Sequence, residues 1–162
     1  MQDVLAAQVQ YLPLLFLIVF AAFWITITTV LARLSGWTAL EAAYPDHPEQ
    51  PIARLRMQSA SMGGRWGMPV NFKRCLRFDV CSSGLRIAMW RLFGPWRKPF
   101  FVPWGEIAVS ERKVLFLRMA RLEFARWSGG EFSIRPRVLR RVAEQAPPAF
   151  RSATAPFARF GG

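Results

Sequence analysis

The sequence has few of the residue types on which most catalytic sites depend. It contains one histidine and two cysteines, and its ten acidic residues are scattered with no pair suited to acid–base work. His47 lies in a proline-rich run beside Asp46 and Glu49, whereas a metal site needs three or four convergent ligands. No phosphate-binding glycine loop of the Walker type is present. We therefore predict a protein that is not an enzyme and that carries no cofactor or metal.

The two cysteines are the only nucleophiles that keep a catalytic alternative open. Cys75 and Cys81 fall in one predicted strand, too far apart along it to form a disulfide with each other. Lys73 and Arg77 lie on the same predicted face, where they would lower a thiol pKa. No histidine lies in the same domain to act as a base, so a cysteine–histidine pair cannot be assembled there. A small membrane-bound enzyme remains the alternative.

Basic residues are absent from the first 32 positions, and residues 11–32 carry no charge at all. A helix of this length extends about 33 Å, enough to cross a hydrocarbon core of roughly 30 Å. We therefore predict one transmembrane helix within residues 1–34.

All 22 basic residues follow this segment, with nine of the ten acidic ones. Because Lys and Arg collect on the cytoplasmic side of a span, we predict the N-terminus outside and the C-terminal part in the cytoplasm. A cleaved secretory signal is the rival interpretation, but the basic region that begins such signals is missing. An arginine-rich cytoplasmic part is attracted to anionic lipid in any case.

Residues 35–52 are predicted to connect this helix to a folded domain. Residues 34–44 suit a short helix, in which Thr38 and Glu41 have the spacing of a capping box. Arg33, Trp37 and Tyr44 are predicted to anchor the segment at the membrane interface, since such side chains settle among lipid headgroups. The prolines between 45 and 51 then predict an extended linker.

From about residue 53 the apolar residues recur with a period of two, which predicts β-strands. In residues 72–81 one face is apolar and the face bearing Cys75 and Cys81 is predicted to be solvated, with Arg74 interrupting the alternation. Residues 100–109 suit a kinked strand, and 127–131 suit a turn. Residues 114–124 favour a strand, with a helical stripe through the same segment as the alternative. The remaining predicted strands cover residues 54–62, 85–93 and 132–134.

The C-terminal part begins with Pro136, a residue typical of the first helical turn. Residues 137–145 have Val138, Leu139 and Val142 along one side, which predicts an amphipathic helix. Residues 146–162 show no periodicity and are predicted to be a disordered tail. The predicted organisation is therefore a membrane helix at 1–34, a connecting segment at 35–52, a domain at 53–145 and a tail.

Two short motifs carry a resemblance to a known group of proteins. One is residues 35–37 (SGW) with Leu40 and Tyr44-Pro45 after a single span; the other is residues 101–107 (FVPWGEI). In both the chain resembles uncharacterised bacterial single-pass membrane proteins whose soluble part is similar to a PH-like, or GRAM-like, domain. The resemblance implies six or seven antiparallel strands closed by a C-terminal amphipathic helix, at the bacterial inner membrane. It supplies no catalytic residue.

The segment around residues 94–101 is the strongest candidate for a binding site. Aromatic side chains lie beside Arg and Lys at this predicted loop, where the rings can enter a headgroup layer and the cations can meet lipid phosphates. The predicted contact residues are Trp96, Arg97, Lys98, Phe100 and Phe101. In the alternative, the two phenylalanines begin a core strand and the charges are solvated.

We expect a binding module that contacts anionic lipid, scaffolds a partner protein, or both. An adaptor subunit of a larger membrane complex, without lipid specificity, is a further alternative. No pattern of a nucleic-acid-binding motif is present. Association of spans through small and hydroxyl residues such as Ala21, Ala22 and Thr26 is left open.

Overall fold

A computed structural model describes residues 2–63, 69–114 and 117–158 of the chain. Helix α1 spans Gln2–Leu34 and contains one stretch, Tyr11–Leu34, that is long and apolar enough to cross a membrane. Its side chains from Tyr11 to Phe23 are exposed. A water-exposed surface of this kind would be costly, so the helix needs an apolar surrounding along this part.

Seven antiparallel strands form one sheet after the helix. The strands are β1 Ala53–Gly63, β2 Pro69–Val80, β3 Gly84–Met89, β4 Phe100–Pro103, β5 Ile107–Val114, β6 Leu117–Phe124 and β7 Trp127–Ile134. Their order is β4-β3-β2-β1-β7-β6-β5, so the long β1 pairs with both halves of the sheet. The prediction of a small, mainly antiparallel domain with up to seven strands is confirmed. The strand assignment for residues 117–124 is also confirmed, while 115–116 lie outside the described residues.

Several strand boundaries differ from the predicted ones. The kinked segment is two strands, β4 and β5, separated by a 3₁₀ turn at Trp104–Glu106. The predicted strand at 85–93 ends at Met89. The predicted turn at 127–131 is wrong, because β7 begins at Trp127 and both glycines lie inside it. A Cβ atom on Gly130 would collide with the Gly63 carbonyl and the Trp127 ring, so glycine is used here for close packing.

Arg74, which interrupts the alternation in β2, lies at an irregularity of the β1–β2 pair. Its φ angle is 54°, Met57 on β1 has φ 55°, and the pairing register shifts between Leu55 and Ala60. The Arg74 N–H donates to the hydroxyl of Ser59 at 2.9 Å instead of to a strand partner. Bulges of this kind bend a strand and redirect side chains, and here the side chain of Arg74 is exposed.

Beyond this bulge, the second face of β2 is not solvated as predicted. Cys75, Asp79 and Cys81 are all buried. The Asp79 carboxylate lies 3.3 Å from Nε of Arg54 and 3.1 Å from Nε of Arg77, so cations cover it. The alternation failed here because segments distant in the sequence, such as Glu49 and Trp104 beside Cys81, cover the face that a lone hairpin would leave open.

Helix α2, Trp37–Ala43, belongs to the core of the domain. Trp37, Leu40 and Tyr44 are completely or almost completely buried, and the Trp37 ring packs edge-on against Phe100 at 5.0 Å between centroids. The prediction that Trp37 and Tyr44 anchor the chain among headgroups is therefore wrong. Their apolar area is better buried against the sheet.

The start of α2 also differs from the predicted capping box. Gly36 is the N-cap with φ 83°, and no side chain caps the helix. Glu41 instead accepts a hydrogen bond from Nε1 of Trp37 at 2.8 Å. The left-handed conformation of Gly36 and the Trp127 ring beside it leave no room for a side chain at this joint between α1 and α2.

Residues 45–52 lie against the sheet and are not a free linker. Asp46 accepts two hydrogen bonds of 2.6 Å from the guanidinium of Arg86. Glu49 accepts hydrogen bonds from the backbone N–H of Ser82 at 3.1 Å and from the hydroxyls of Ser82 and Ser83. These hydroxyls hold the pKa of Glu49 below its usual range. The segment thus ties the end of α2 to the β2–β3 turn.

Two helices follow the sheet. Helix α3, Pro136–Gln145, buries the predicted apolar side and contacts β2 and β6. Helix α4, Pro148–Ala158, occupies most of the predicted tail, and Phe150 packs on Trp104 at 4.6 Å between ring centroids. The prediction of disorder is wrong for the residues of α4. The helix is not evident in the sequence because its apolar periodicity is weak. Residues 159–162 lie outside the described part.

If α2 is part of the core, Leu40→Ala should lower the free energy of unfolding by about 2–5 kcal/mol, because it leaves a cavity under the sheet. Urea denaturation of the detergent-solubilised chain, followed by tryptophan fluorescence, measures this. Leu117→Ala is the matched control on an exposed position and should change stability by no more than about 0.5 kcal/mol. Equal effects of the two substitutions would contradict the assignment of α2 to the core.

The lowered pKa of Glu49 predicts a pH-dependent contribution to stability. Because the folded-state pKa is depressed, this contribution is present above the unfolded value of about 4.3 and is lost as pH falls through the folded value. Glu49→Gln should therefore destabilise the chain at pH 7, and its difference from wild type should shrink towards acidic pH. Glu144→Gln on the exposed side of α3 is the control; a pH-independent difference for Glu49→Gln would contradict the prediction.

Candidate anion-binding groove

A groove of about 830 Å³ lies between the bulged part of β1 and β2, the end of β3, and the segment that follows β3. We call that segment, residues 90–99, the aromatic loop. Its N-terminal end is tied to the sheet because the Trp90 N–H donates to the carbonyl of Cys75 at 2.8 Å. Its C-terminal end is tied to α2 because the Lys98 N–H donates to the carboxylate of Glu41 at 2.9 Å.

The groove is lined by cations. Six basic side chains contribute to its wall: Arg56, Arg74, Arg77, Arg91, Arg97 and Lys98. Arg77 lies beside Asp79, and Arg97 is 3.9 Å from Glu41. The other four are exposed and form no ion pair with a carboxylate in the described part of the chain. Their positive charge is therefore available to an anion.

The loop also presents large apolar side chains to the outside. Trp90, Leu92 and Trp96 are 59%, 57% and 68% exposed. They neighbour the unpaired cations along the chain. A surface that combines exposed aromatic rings with cations suits the boundary between lipid headgroups and acyl chains.

The aromatic loop contacts helix α1 directly. Nε1 of Trp24 donates a hydrogen bond of 3.1 Å to the carbonyl of Leu92, and the ring of Trp24 packs against Phe93 at 6.0 Å between centroids. Trp24 lies inside the apolar stretch Tyr11–Leu34. The groove is therefore positioned by the same helix that can cross a membrane.

A larger groove of about 950 Å³ lies at β1, β6 and β7. Its arginines Arg112 and Arg121 both pair with the carboxylate of Glu131, and Nε of Arg121 also lies 3.3 Å from the carboxylate of Glu123. Since these charges neutralise one another, this groove offers an anion much less than the one at the aromatic loop does.

The predicted contact residues divide into two groups. Trp96, Arg97 and Lys98 line the groove, although Arg97 is largely covered by its neighbours. Phe100 and Phe101 are buried, so their prediction as lipid or partner contacts is wrong and the core-strand alternative is confirmed for them. Arg33 is exposed in the last turn of α1, and its role as an anchor stays a prediction.

Four arginines of the groove were not predicted. They come from three segments that are distant in the sequence, so no local pattern joins Arg56, Arg74, Arg77 and Arg91. Arg74 did leave a signal, because it interrupts the apolar alternation of β2 at the bulge. The contact of Trp24 with Leu92 joins positions 68 residues apart, and no local sequence pattern indicates it.

The cysteines do not form a reactive site. Burial raises the pKa of the Cys75 thiol. Burial, and then the nearby carboxylate of Glu49, raise the pKa of the Cys81 thiol. The expectation of a lowered thiol pKa is wrong, because burial of the thiols disfavours the charged thiolate. Among the described residues, no group of three or more His, Cys, Asp and Glu side chains is placed to hold a metal ion.

Comparisons with protein-family models, with curated proteins and with solved structures found no match for this chain. The resemblance to bacterial membrane proteins with PH-like domains therefore stays a prediction, and the groove must be interpreted from its own residues.

The burial of both thiols predicts slow reaction with an aqueous thiol reagent. In the folded, solubilised chain neither cysteine should react with Ellman's reagent at pH 8 within minutes, whereas both should react in denaturing urea. Glycine-to-cysteine substitution at Gly105, which has open space around it, gives a matched exposed thiol that should react at once. Rapid reaction of the native cysteines would contradict their burial.

Proposed function

We propose that this chain is a membrane-tethered binding module whose groove binds the phosphate of anionic lipid headgroups. The observation that carries the proposal is the set of four exposed, unpaired cations, Arg56, Arg74, Arg91 and Lys98, grouped at one groove beside exposed aromatic side chains. The proposal includes a single span, the N-terminus outside, the domain in the cytoplasm, and a location in a bacterial inner membrane.

The electrostatics of the groove support an anionic ligand. Like charges held close together repel one another, and a bound anion removes this repulsion. Arginine offers planar pairs of N–H donors that match the oxygen atoms of a phosphate group. Near a membrane that contains anionic lipid, each such cation contributes about 1 kcal/mol of attraction.

The position of the groove supports a lipid over a soluble anion. The loop that forms one wall contacts Trp24 of the apolar helix, so in this proposal the helix holds the groove close to the bilayer. Headgroups are then present at high local concentration, which favours even a weak site.

The fold supports a PH-like domain in the same proposal. A seven-stranded antiparallel sheet is followed by an amphipathic helix whose Val138, Leu139 and Val142 are buried. We take α3 as the helix that closes such a domain. The proposal of a PH-like domain rests only on this order of strands and helix.

Scaffolding of a partner protein is the second candidate. The order of strands leaves β4 and β5 at the two edges of the sheet, where a partner strand could add to the ladder. A membrane-bound enzyme finds less support, because the thiols that it would need are buried and have raised pKa values.

The lipid proposal predicts that Arg56→Glu with Lys98→Glu abolishes the preference for anionic lipid. The full chain is reconstituted into vesicles of equal phosphatidylcholine and phosphatidylglycerol at near-physiological salt. It is then extracted in mild detergent, and the lipids that it retains are quantified by mass spectrometry. The lipids retained by the wild-type chain should be enriched in phosphatidylglycerol. In the variant the ratio of retained phosphatidylglycerol to phosphatidylcholine should be lower by about tenfold or more.

The matched control is Arg137→Glu with Arg140→Glu, which changes the net charge equally on the exposed side of α3. It should keep most of the enrichment. Equal losses in both variants would show a general charge effect and no site at the groove. Absence of phosphatidylglycerol enrichment in the wild-type chain would contradict lipid binding. It would favour the second candidate, a partner protein bound at the positive surface.

A further inference from the structure

We infer that the aromatic loop inserts into the membrane leaflet beside α1, so that the domain is partly embedded and not merely tethered. This inference rests on the proposed function, since it requires that α1 crosses the bilayer. Its ligand is the acyl-chain region of the leaflet on the side of the domain. The lipid that reaches the groove then comes from that same leaflet.

The contact with Trp24 sets the depth of the loop. Trp24 lies nine residues before Arg33, which is about 13 Å along a helix axis. If the charge of Arg33 is at the headgroup level, Trp24 lies well inside a half-bilayer whose hydrocarbon is about 15 Å thick. The carbonyl of Leu92 lies 3.1 Å from Nε1 of Trp24, so the loop reaches close to the depth of the Trp24 ring.

The exposed side chains in the last turns of α1 favour contact with lipid along this part of the helix. Ile27, Val30 and Leu31 are exposed apolar residues, whereas Ala32 is buried in the core of the domain. One side of the helix is therefore covered by the domain while the other needs an apolar surrounding. If the membrane boundary lay at Trp24 instead of at Arg33, the exposed side chains of Ile27, Val30 and Leu31 would be in water. The free-energy cost would be proportional to their apolar area.

The hydrogen bonds of the loop suit a surrounding with little water. In hydrocarbon every polar group needs an internal partner. The indole N–H of Trp24 and the carbonyl of Leu92 satisfy each other. The N–H groups of Phe93 and Gly94 both donate to the carbonyl of Trp90, at 2.9 and 3.2 Å.

In the rest of the loop the backbone donors are satisfied in part: the N–H groups of Arg91, Leu92 and Trp96 make no hydrogen bond within the described part of the chain. The N–H of Arg97 donates to the carbonyl of Gly94 at 3.1 Å. Pro95 and Pro99 have no N–H to satisfy. The apolar side chains of Trp90, Leu92 and Trp96 are exposed, and the long side chains of Arg91 and Lys98 can extend to the phosphates.

The test measures the depth of Leu92 in vesicles of neutral phosphatidylcholine, where headgroup charge plays no part. Leu92→Cys in the full chain carries an environment-sensitive fluorophore, and quenching by lipids brominated on the acyl chain reports its depth. Phe20→Cys on the exposed part of α1 is the embedded reference, and Ala108→Cys, exposed on β5, is the aqueous reference. The buried native thiols stay unlabelled, which the chain without an added cysteine verifies.

Quenching at position 92 in the same range as at position 20, with position 108 unquenched, is the expected result. Quenching at 20 with none at 92 would overturn insertion of the loop and leave the span in place. No quenching at 20 would instead show that α1 does not cross the bilayer, which overturns the proposed function itself. The two failures are therefore distinguishable.

Trp24→Phe tests the hydrogen bond that holds the loop. It keeps an aromatic ring but removes the donor to Leu92, so quenching at position 92 should fall. Trp104→Phe is the matched control, because Nε1 of Trp104 also donates at 3.1 Å to a backbone carbonyl, that of Cys81, at a different place. Unchanged quenching in Trp24→Phe, or an equal fall in both variants, would overturn the anchoring role of Trp24.

Discussion

The packing of α2 into the sheet is the interaction on which the remaining arrangement depends. Trp37 and Leu40 are fully buried there, and the left-handed Gly36 joins α2 to the end of α1. This burial holds the apolar helix at a defined place on the domain, because a cluster of large side chains cannot slide without opening cavities. It also places Glu41, whose carboxylate bonds both Trp37 and the backbone of the aromatic loop. The span, the core and the candidate site are in this way parts of one packed unit.

The distribution of charge follows from the same arrangement. The few acidic residues near α2 and β2 each have fixed partners: Asp46 with Arg86, Glu49 with the serines of the β2–β3 turn, and Asp79 among arginines. These pairs hold residues 45–52 against the sheet. Because the acids are used in this way and basic residues outnumber them more than two to one, exposed cations remain at the groove. The positive surface is therefore a consequence of where the structure places its carboxylates as well as of composition.

Particular residues show how far the sequence could be read. The charge-free run before Arg33 and the two-residue period of the strands are local patterns: the first predicts a helix long and apolar enough to cross a membrane, the second predicts strands, and the structure has both. The prediction for Trp37 and Tyr44 is wrong because tryptophan and tyrosine occur both at membrane interfaces and in protein cores, and the local sequence does not distinguish the two environments. Phe100 and Phe101 were placed among contact residues for the same reason. The helix α4 was missed because its amphipathic character depends on a few contacts, such as that of Phe150 with Trp104, rather than on a clear period.

Composition and local pattern are enough to predict an apolar helix long enough to cross a membrane, a small antiparallel domain with an excess of arginine, and a loop rich in tryptophan and basic residues. These properties follow from composition and from periods of a few residues, which neighbouring positions fully specify. The meeting of four arginines from three separate segments at one groove, and the contact of the loop with Trp24 of the helix, are known from the tertiary structure alone. Contacts between positions far apart in the chain arise from packing of the whole domain, and packing is not encoded in any short pattern.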